Sequence, residues 1–352
     1  MTSGTSRFSR RRFLIAGATT LAGVAVSNSA CGYLGKSKND PALPSAAPSA
    51  PAAGPSFTRV ADPARTEMRD ATGKVMAVFT DGARTVRIDG PQRTFEESRY
   101  TKAKVITTSW IRLTPQPWTE GSQDEPWFQP WLEQVVGSTE PDALEIAFQY
   151  TYRAKTIKNE EGLQIAGDSA FGPLSSSDAD GRAEASDFYD YLGVSWNFPD
   201  GVREKPSSDR LRSLDCSGYL RMIYGYRLGF PLGGSNAGGG GMLPRRAYAM
   251  AAAGPGVQLI PNTGRRVADL SSLQPGDLLF FHGTPEIASD GPATSTHIEH
   301  SGLYLGIDDR GHHRFVSSRT SSNGPTMGDA GGESILDGTG HFATSLRTAC
   351  RI

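Results

Sequence analysis

The segment LDCSGYL at residues 214–220 places a single cysteine, Cys216, directly after an aspartate at what reads as a helix start. A thiol is a strong nucleophile only as thiolate, and the unpaired N–H groups and partial positive charge of a helix N-terminus favour that form. Asp215 suits the N-cap position. Leu220, Ile223, Tyr224 and Leu228 recur at helical spacing, and Gly229 with Pro231 ends the run. A small buried cysteine is the competing reading of the same residues. The chemistry open to Cys216 is covalent catalysis, provided a base reaches it.

A base is offered by HIEHSGLYLGIDDRGHHRFVSSR, residues 297–319, which reads as a strand, a turn near Asp309, Arg310 and Gly311, and a second strand. Side chains alternate along a strand, so Ser301, Leu303 and Leu305 share the core side, which leaves His300 facing a groove. Antiparallel pairing sets His300 opposite a residue between Ser317 and Arg319. His312 and His313 pair near Gly306 instead, roughly 20 Å along the strand from His300 and out of its reach. His297 and His300 do not form a metal pair, because residues three apart on a strand face opposite sides. The chain also lacks CxxC and HExxH spacings, so neither a metal nor a cofactor is expected.

Two elements must hold these groups, a helix for Cys216 and an antiparallel sheet for His300, and together they specify an α+β domain. A cysteine on a helix start followed by a histidine on a strand is the order of papain-like cysteine enzymes. Read together, LDCSGYL, SLQPGDLLFF at 272–281 and EHSGLYLG at 299–306 resemble the NlpC family of cell-wall cysteine peptidases, over roughly residues 205–320. The resemblance implies a papain-like fold with Cys216 as nucleophile and His300 as general base. It also implies that Asp215 helps hold the free amino end of a peptidoglycan stem peptide, while the local reading makes it a helix cap. The bond cut in the family lies between D-glutamate and the diamino acid. An amidase or transacylase of the same fold, or a wall-binding protein whose core has decayed, are the alternatives. The family places His, Asn or Gln after an aromatic and an aliphatic residue on the next strand. Here Phe315 and Val316 are followed by Ser317, the expected third residue, whose short uncharged side chain departs from that pattern. Arg319 shares its face and would oppose an imidazolium.

Ahead of this region the chain reads as targeting sequence and tether. Arg10 and Arg11, followed by Phe13 and Leu14, resemble a twin-arginine export signal, and Cys31 after Ser29 and Ala30 resembles a lipidation site. Asn28 departs from the lipidation pattern, so cleavage to a freely secreted form is the rival outcome. Residues 1–31 are thus expected to be a signal peptide, 32–56 a disordered Pro/Ala/Ser linker, 57–200 an accessory α+β region and 201–352 the peptidase domain. The expected location is the outer face of the cytoplasmic membrane or the wall, with membrane anchoring through a lipid on Cys31. Within 57–200, VMAVFT, ARTVRID and VITTSWIRL read as strands and PWFQPWLEQVV and DALEIAFQYTYRA as helices. Trp118, Trp127 and Trp131 could form a glycan surface or packing anchors.

The 352-residue chain has a formal net charge of -1 and no basic patch beyond its N-terminus, which disfavours nucleic acid. Its three cysteines, Cys31, Cys216 and Cys350, make no disulfide framework, and Cys350 reads as a structural thiol. The loop GGSNAGGGG at 233–241 has no Lys-Ser or Lys-Thr after it and suits a groove edge better than a phosphate cradle. A monomer is expected.

Overall fold

The computed structural model describes residues 54–97, 99–178, 181–283 and 297–352. The signal, Cys31 and nearly all of the linker expected from the sequence lie outside the described residues.

Five strands form an antiparallel meander in chain order: β1 (Ser56–Val60), β2 (Arg65–Arg69), β3 (Val75–Thr80), β4 (Thr85–Glu96) and β5 (Lys104–Leu113). The β3–β4 hairpin turns at Gly82, whose φ of 83° is left-handed and suits glycine. One face of the meander is covered by α1 (Phe128–Val135). Phe79 stacks on Trp118 with ring centroids 4.1 Å apart, and Phe128 and Trp131 pack edge-on against it. The tryptophans are therefore packing anchors, with Trp118 fully buried. The second helix of this region, α2 (Ala143–Phe148), is capped by Asp142, which accepts from Glu145 N at 2.9 Å. The other oxygen of Asp142 accepts from Ile111 N at 2.6 Å, fastening the helix to β5.

Two short ribbons, β6 (Ile157–Lys158) with β7 (Gln164–Ala166) and β8 (Trp196–Asn197) with β9 (Arg203–Glu204), flank α3 (Phe188–Leu192). Next comes α4 (Cys216–Leu220), which continues as a π-helical segment through Arg221–Arg227 and stops at Gly229. After α5 (Ala247–Ala253) the chain builds an antiparallel six-stranded sheet in the order β10-β15-β11-β12-β13-β14. Its strands are β10 (Val257–Ile260), β11 (Leu278–Phe281), β12 (His300–Ile307), β13 (His313–Arg319), β14 (Gly324–Thr326) and β15 (Leu346–Arg351), with α6 (His341–Ser345) just before the last.

Both faces of this sheet are buried. Leu278, Phe280, Leu303, Leu305 and Val316 pack with Cys216, Tyr219 and Leu220 of α4, and the same core takes in Val105, Ile111 and Leu144 from the first region. Leu279, Phe281, Tyr304, Phe315 and Ala349 point the other way, onto Phe342 of α6. The PGD segment explains how the two sheets meet. Gly276 has a φ of 94°, and a Cβ there would stand 2.7 Å from Ile111 Cγ2 on β5. Asp277 pairs with Arg351 at 2.8 Å, both groups almost wholly buried, and Arg351 reaches Thr80 Oγ1 on β3 at 2.7 Å. No helix among the described residues is long and apolar enough to cross a membrane.

Candidate active site

Cys216 opens α4 because Asp215 caps it: Asp215 Oδ1 accepts from Gly218 N at 2.6 Å. Gly218 permits a close approach, since a Cβ there would lie 2.2 Å from Ser186 O. Ser318 Oγ of β13 donates to Leu214 O at 2.5 Å and Tyr219 OH donates to Ala147 O at 2.8 Å. The helix start is thus fixed to the sheet on one side and to α2 on the other. Gly218 N and Tyr219 N are consumed by Asp215. The N–H groups of Cys216 and Ser217 have no acceptor among the described residues, as the first turn of a helix dictates.

Asp215 is saturated. Its second oxygen accepts from Arg245 Nη2 at 2.8 Å and Ala185 N at 3.0 Å, and Ser217 Oγ donates to the first at 3.1 Å. Arg245 also contacts Asp187 at 3.3 Å, and Asp187 pairs with the fully buried Arg221 at 3.0 Å. Burial by itself would raise the Asp215 pKa, but the charge and hydrogen bonds of Arg245 outweigh it and hold the carboxyl below its ordinary range. This charged network was not foreseen from the sequence. Arg245 lies thirty positions from Asp215, on a segment with no spacing signal tying it to the cysteine.

The thiol sits over the start of β12, with Cys216 Sγ 4.0 Å from Glu299 O. It borders a cavity of about 380 Å³ lined by Glu184, Asp215, Ser217, Asn236, Arg246, Ala247, Tyr248 and Glu299. Asn236 confirms that the glycine-rich 233–241 loop meets this cavity. The thiol's surroundings oppose the pull of the helix start. Burial, then the negative charge of Asp215 and Glu184, push the Cys216 pKa up to about 12, with Ser301 offsetting only part.

His300 directly follows the residue whose carbonyl Sγ touches, but no hydrogen bond joins the two side chains. Its expected position facing a groove is corrected by the structure. The ring is 1% exposed and lies between Phe281, paired across β11, and Phe342 of α6, with centroids 5.8 and 5.6 Å away. The alternation rule held, but α6 closes over the second face of the sheet. Burial, then the facing charge of Arg319, hold the His300 pKa well below its ordinary value. His300 Nε2 is buried without a hydrogen-bond partner.

Ser317 is fully buried on β13, and its Oγ accepts from Arg319 Nε at 2.9 Å. Extending the register Leu303↔Val316 by three pairs sets Arg319 opposite His300. Arg319 stacks over Phe342 at 4.2 Å and donates to Ala330 O at 3.1 Å and Gly332 O at 2.9 Å, so it organises the 328–332 loop. His312 and His313 stand at the far end, with His313 opposite Ile307 and His312 Nδ1 2.8 Å from Asp337. Cys350 is buried on β15, and burial pushes its thiol up to about 12 as well. No cluster of His, Cys, Asp or Glu among the described residues is arranged to hold a metal ion.

Residues 201–328, which contain Cys216, the PGD turn and His300, match the model of the NlpC/P60 family. This segment is an NlpC/P60 domain. The helix carrying Cys216 packed on the antiparallel sheet carrying His300 is the papain-like α+β arrangement of that domain. The match relates residues 201–328 to a family of peptidoglycan-related cysteine peptidases and hydrolases. No curated protein matches the chain.

Proposed function

We propose that the protein is an exported peptidoglycan endopeptidase that cuts a stem-peptide bond, the one between D-glutamate and the diamino acid, with Cys216 as nucleophile and His300 as general base. The observation that carries this reading is the seating of Cys216 on a helix start, at the edge of a cavity and over the strand that bears His300. The neutral thiol and neutral imidazole form no resting ion pair, so the proton leaves sulfur as the C–S bond forms. The oxyanion that develops is met by the two unclaimed N–H groups of Cys216 and Ser217. Asp215 serves as cap and ion-pair partner, and its acceptor sites are already used, so its influence on a substrate's amino end is electrostatic. Ser317 orients Arg319 rather than the imidazole, leaving the ring to be positioned by Phe281 and Phe342.

Residues 57–200 act as an accessory region that narrows access, a role supported by Glu184 on the cavity wall. Export follows the twin-arginine-type signal, and a lipid on Cys31 anchors a monomer at the outer face of the membrane. A Cys31→Ala change should move the protein from the membrane pellet to the soluble fraction, and unchanged partition would remove the anchor from the proposal.

The central test incubates the purified protein, and a Cys216→Ser variant, with isolated wall fragments and follows newly exposed amino groups by mass spectrometry. Peptide release by the parent alone is expected, and the new amino group identifies the bond. A second reading, a wall-binding protein without turnover, is favoured by the raised thiol pKa and the unpartnered His300 Nε2. Binding to wall fragments without release of amino groups would select it.

A further inference from the structure

Two contacts of the helix start bracket a side chain of β12 to which no role has yet been given. Cys216 Sγ lies 4.0 Å from Glu299 O, just ahead of β12, and Ser318 Oγ of β13 donates to Leu214 O at 2.5 Å. Side chains alternate along β12, so Ser301 points the same way as Leu303 and Leu305, which pack with Cys216, and away from His300. Carrying the register Leu303↔Val316 on by two pairs sets Ser301 opposite Ser318, the residue that ties down the helix start. Both serines are fully buried.

The two hydroxyls are used differently. That of Ser318 is spent on a backbone carbonyl, whereas Ser301 Oγ makes no hydrogen bond to any oxygen or nitrogen among the described residues. A hydroxyl enclosed without such a partner is costly to keep, and one beside a thiol gains an acceptor once the sulfur ionises. Burial, then Asp215 and Glu184, hold the proton on the thiol, and hydrogen bonding from Ser301 works against them. Resting on the peptidase reading above, we propose that the Ser301 hydroxyl is a further catalytic group, which donates a hydrogen bond to the Cys216 sulfur as the thiol proton leaves.

The hydroxyl keeps its own proton throughout, so its role is to supply a donor beside a sulfur whose neighbours include several carboxylates. Glu184, Asp215 and Glu299 line the same cavity as the thiol, with Arg246 and Tyr248, and His300 stands on the other face of β12 beside Phe281 and Phe342. Shortening Ser301 to alanine changes none of these groups and adds no bulk. A hydrogen bond to an ionised acceptor is worth about 10- to 100-fold in the equilibrium it serves.

The test reads the thiol directly. Alkylation of Cys216 by iodoacetamide, followed on its own peptide by mass spectrometry, is compared in the parent and Ser301→Ala across about pH 7 to 10. The variant should react about tenfold more slowly and reach any given rate about one pH unit later. Its unfolding midpoint in urea should be no lower than the parent's, because no other hydrogen bond is lost. Release of amino groups from wall fragments should also fall by about tenfold. Alkylation within about twofold of the parent overturns the proposal, and so does a slower reaction accompanied by a lower urea midpoint, which marks a structural role. Slower alkylation with unchanged release of amino groups overturns the catalytic part. If the parent releases nothing, the peptidase reading itself fails, and the alkylation comparison still decides whether Ser301 serves the sulfur.

Discussion

On the α4 side of the six-stranded sheet the surroundings of Cys216 are held by buried charge, whereas on the α6 side those of His300 are held by aromatic rings. Asp215, Arg245, Asp187 and Arg221 form a chain of buried ion pairs under the helix start. Phe281 and Phe342 flank the imidazole, Phe315 packs against both rings, and Arg319 is the facing cation. The two environments use different physics to the same end. A carboxylate beside a desolvated thiol disfavours thiolate, and rings plus a cation beside a desolvated imidazole disfavour imidazolium. Both surroundings thus favour the uncharged form of the group they hold.

The largest way to break this comparison is on the charged side. Arg245→Ala leaves Asp215 without its principal partner, and unfolding in urea should show a loss of about 3–5 kcal/mol, as for other buried pairs broken on one side. A loss below about 1 kcal/mol would mean that water replaces the arginine and that the network does not hold the helix start.

The thiol itself gives the next effect. With its pKa pushed up to about 12, Cys216 should react with iodoacetamide at pH 8 at least tenfold more slowly than free cysteine, whose pKa is about 8.5, with the rate still climbing above pH 10. Rapid alkylation at pH 7 would show an ionised resting thiol and erase the electrostatic symmetry between the two sides.

On the aromatic side, Phe342→Leu opens the cage at a cost of about 1–2 kcal/mol. By admitting water it should raise the His300 pKa, moving the acid limb of the hydrolysis pH profile upward. An unmoved limb would assign that ionisation to another group.

The smallest effect is a slope. Above about pH 6.5 His300 is neutral in both folded and unfolded chains, and below it the unfolded chain takes a proton that the folded one refuses. Stability should therefore fall as pH drops from 6.5 to 5, by up to about 1.4 kcal/mol per unit, and His300→Gln should flatten that fall. Asp215 acts in a lower window, since its depressed pKa gives stability that is lost only as pH falls below the ordinary carboxylate range. An unchanged slope in the variant would show that His300 is already solvated.

A second contrast, between the first sheet and the Cys216 sheet, shows how much local pattern can carry. VMAVFT and VITTSWIRL became β3 and β5 within a residue of their expected ends, because alternating apolar residues next to turn signals leave few other solutions. DALEIAFQYTYRA became a helix only to Phe148, since Tyr150 and Thr151 are drawn into loop contacts with Ile165 and Phe148. The pairing of β12 with β13 was readable to within a residue for the same reason, that one face had to be apolar.

By itself the sequence determined the elements and their order: a capped helix start at Asp215 and Cys216, a strand carrying His300, and a turn built on Pro275, Gly276 and Asp277. Those features depend on neighbours a few residues away. Only the tertiary structure decided that α6 would cover His300, that Arg319 rather than Ser317 would face it, and that Arg245 would fill the acceptor sites of Asp215. Each of these joins residues far apart in the chain, and burial and charge, which set their pKa values, exist only once distant segments have excluded water between them.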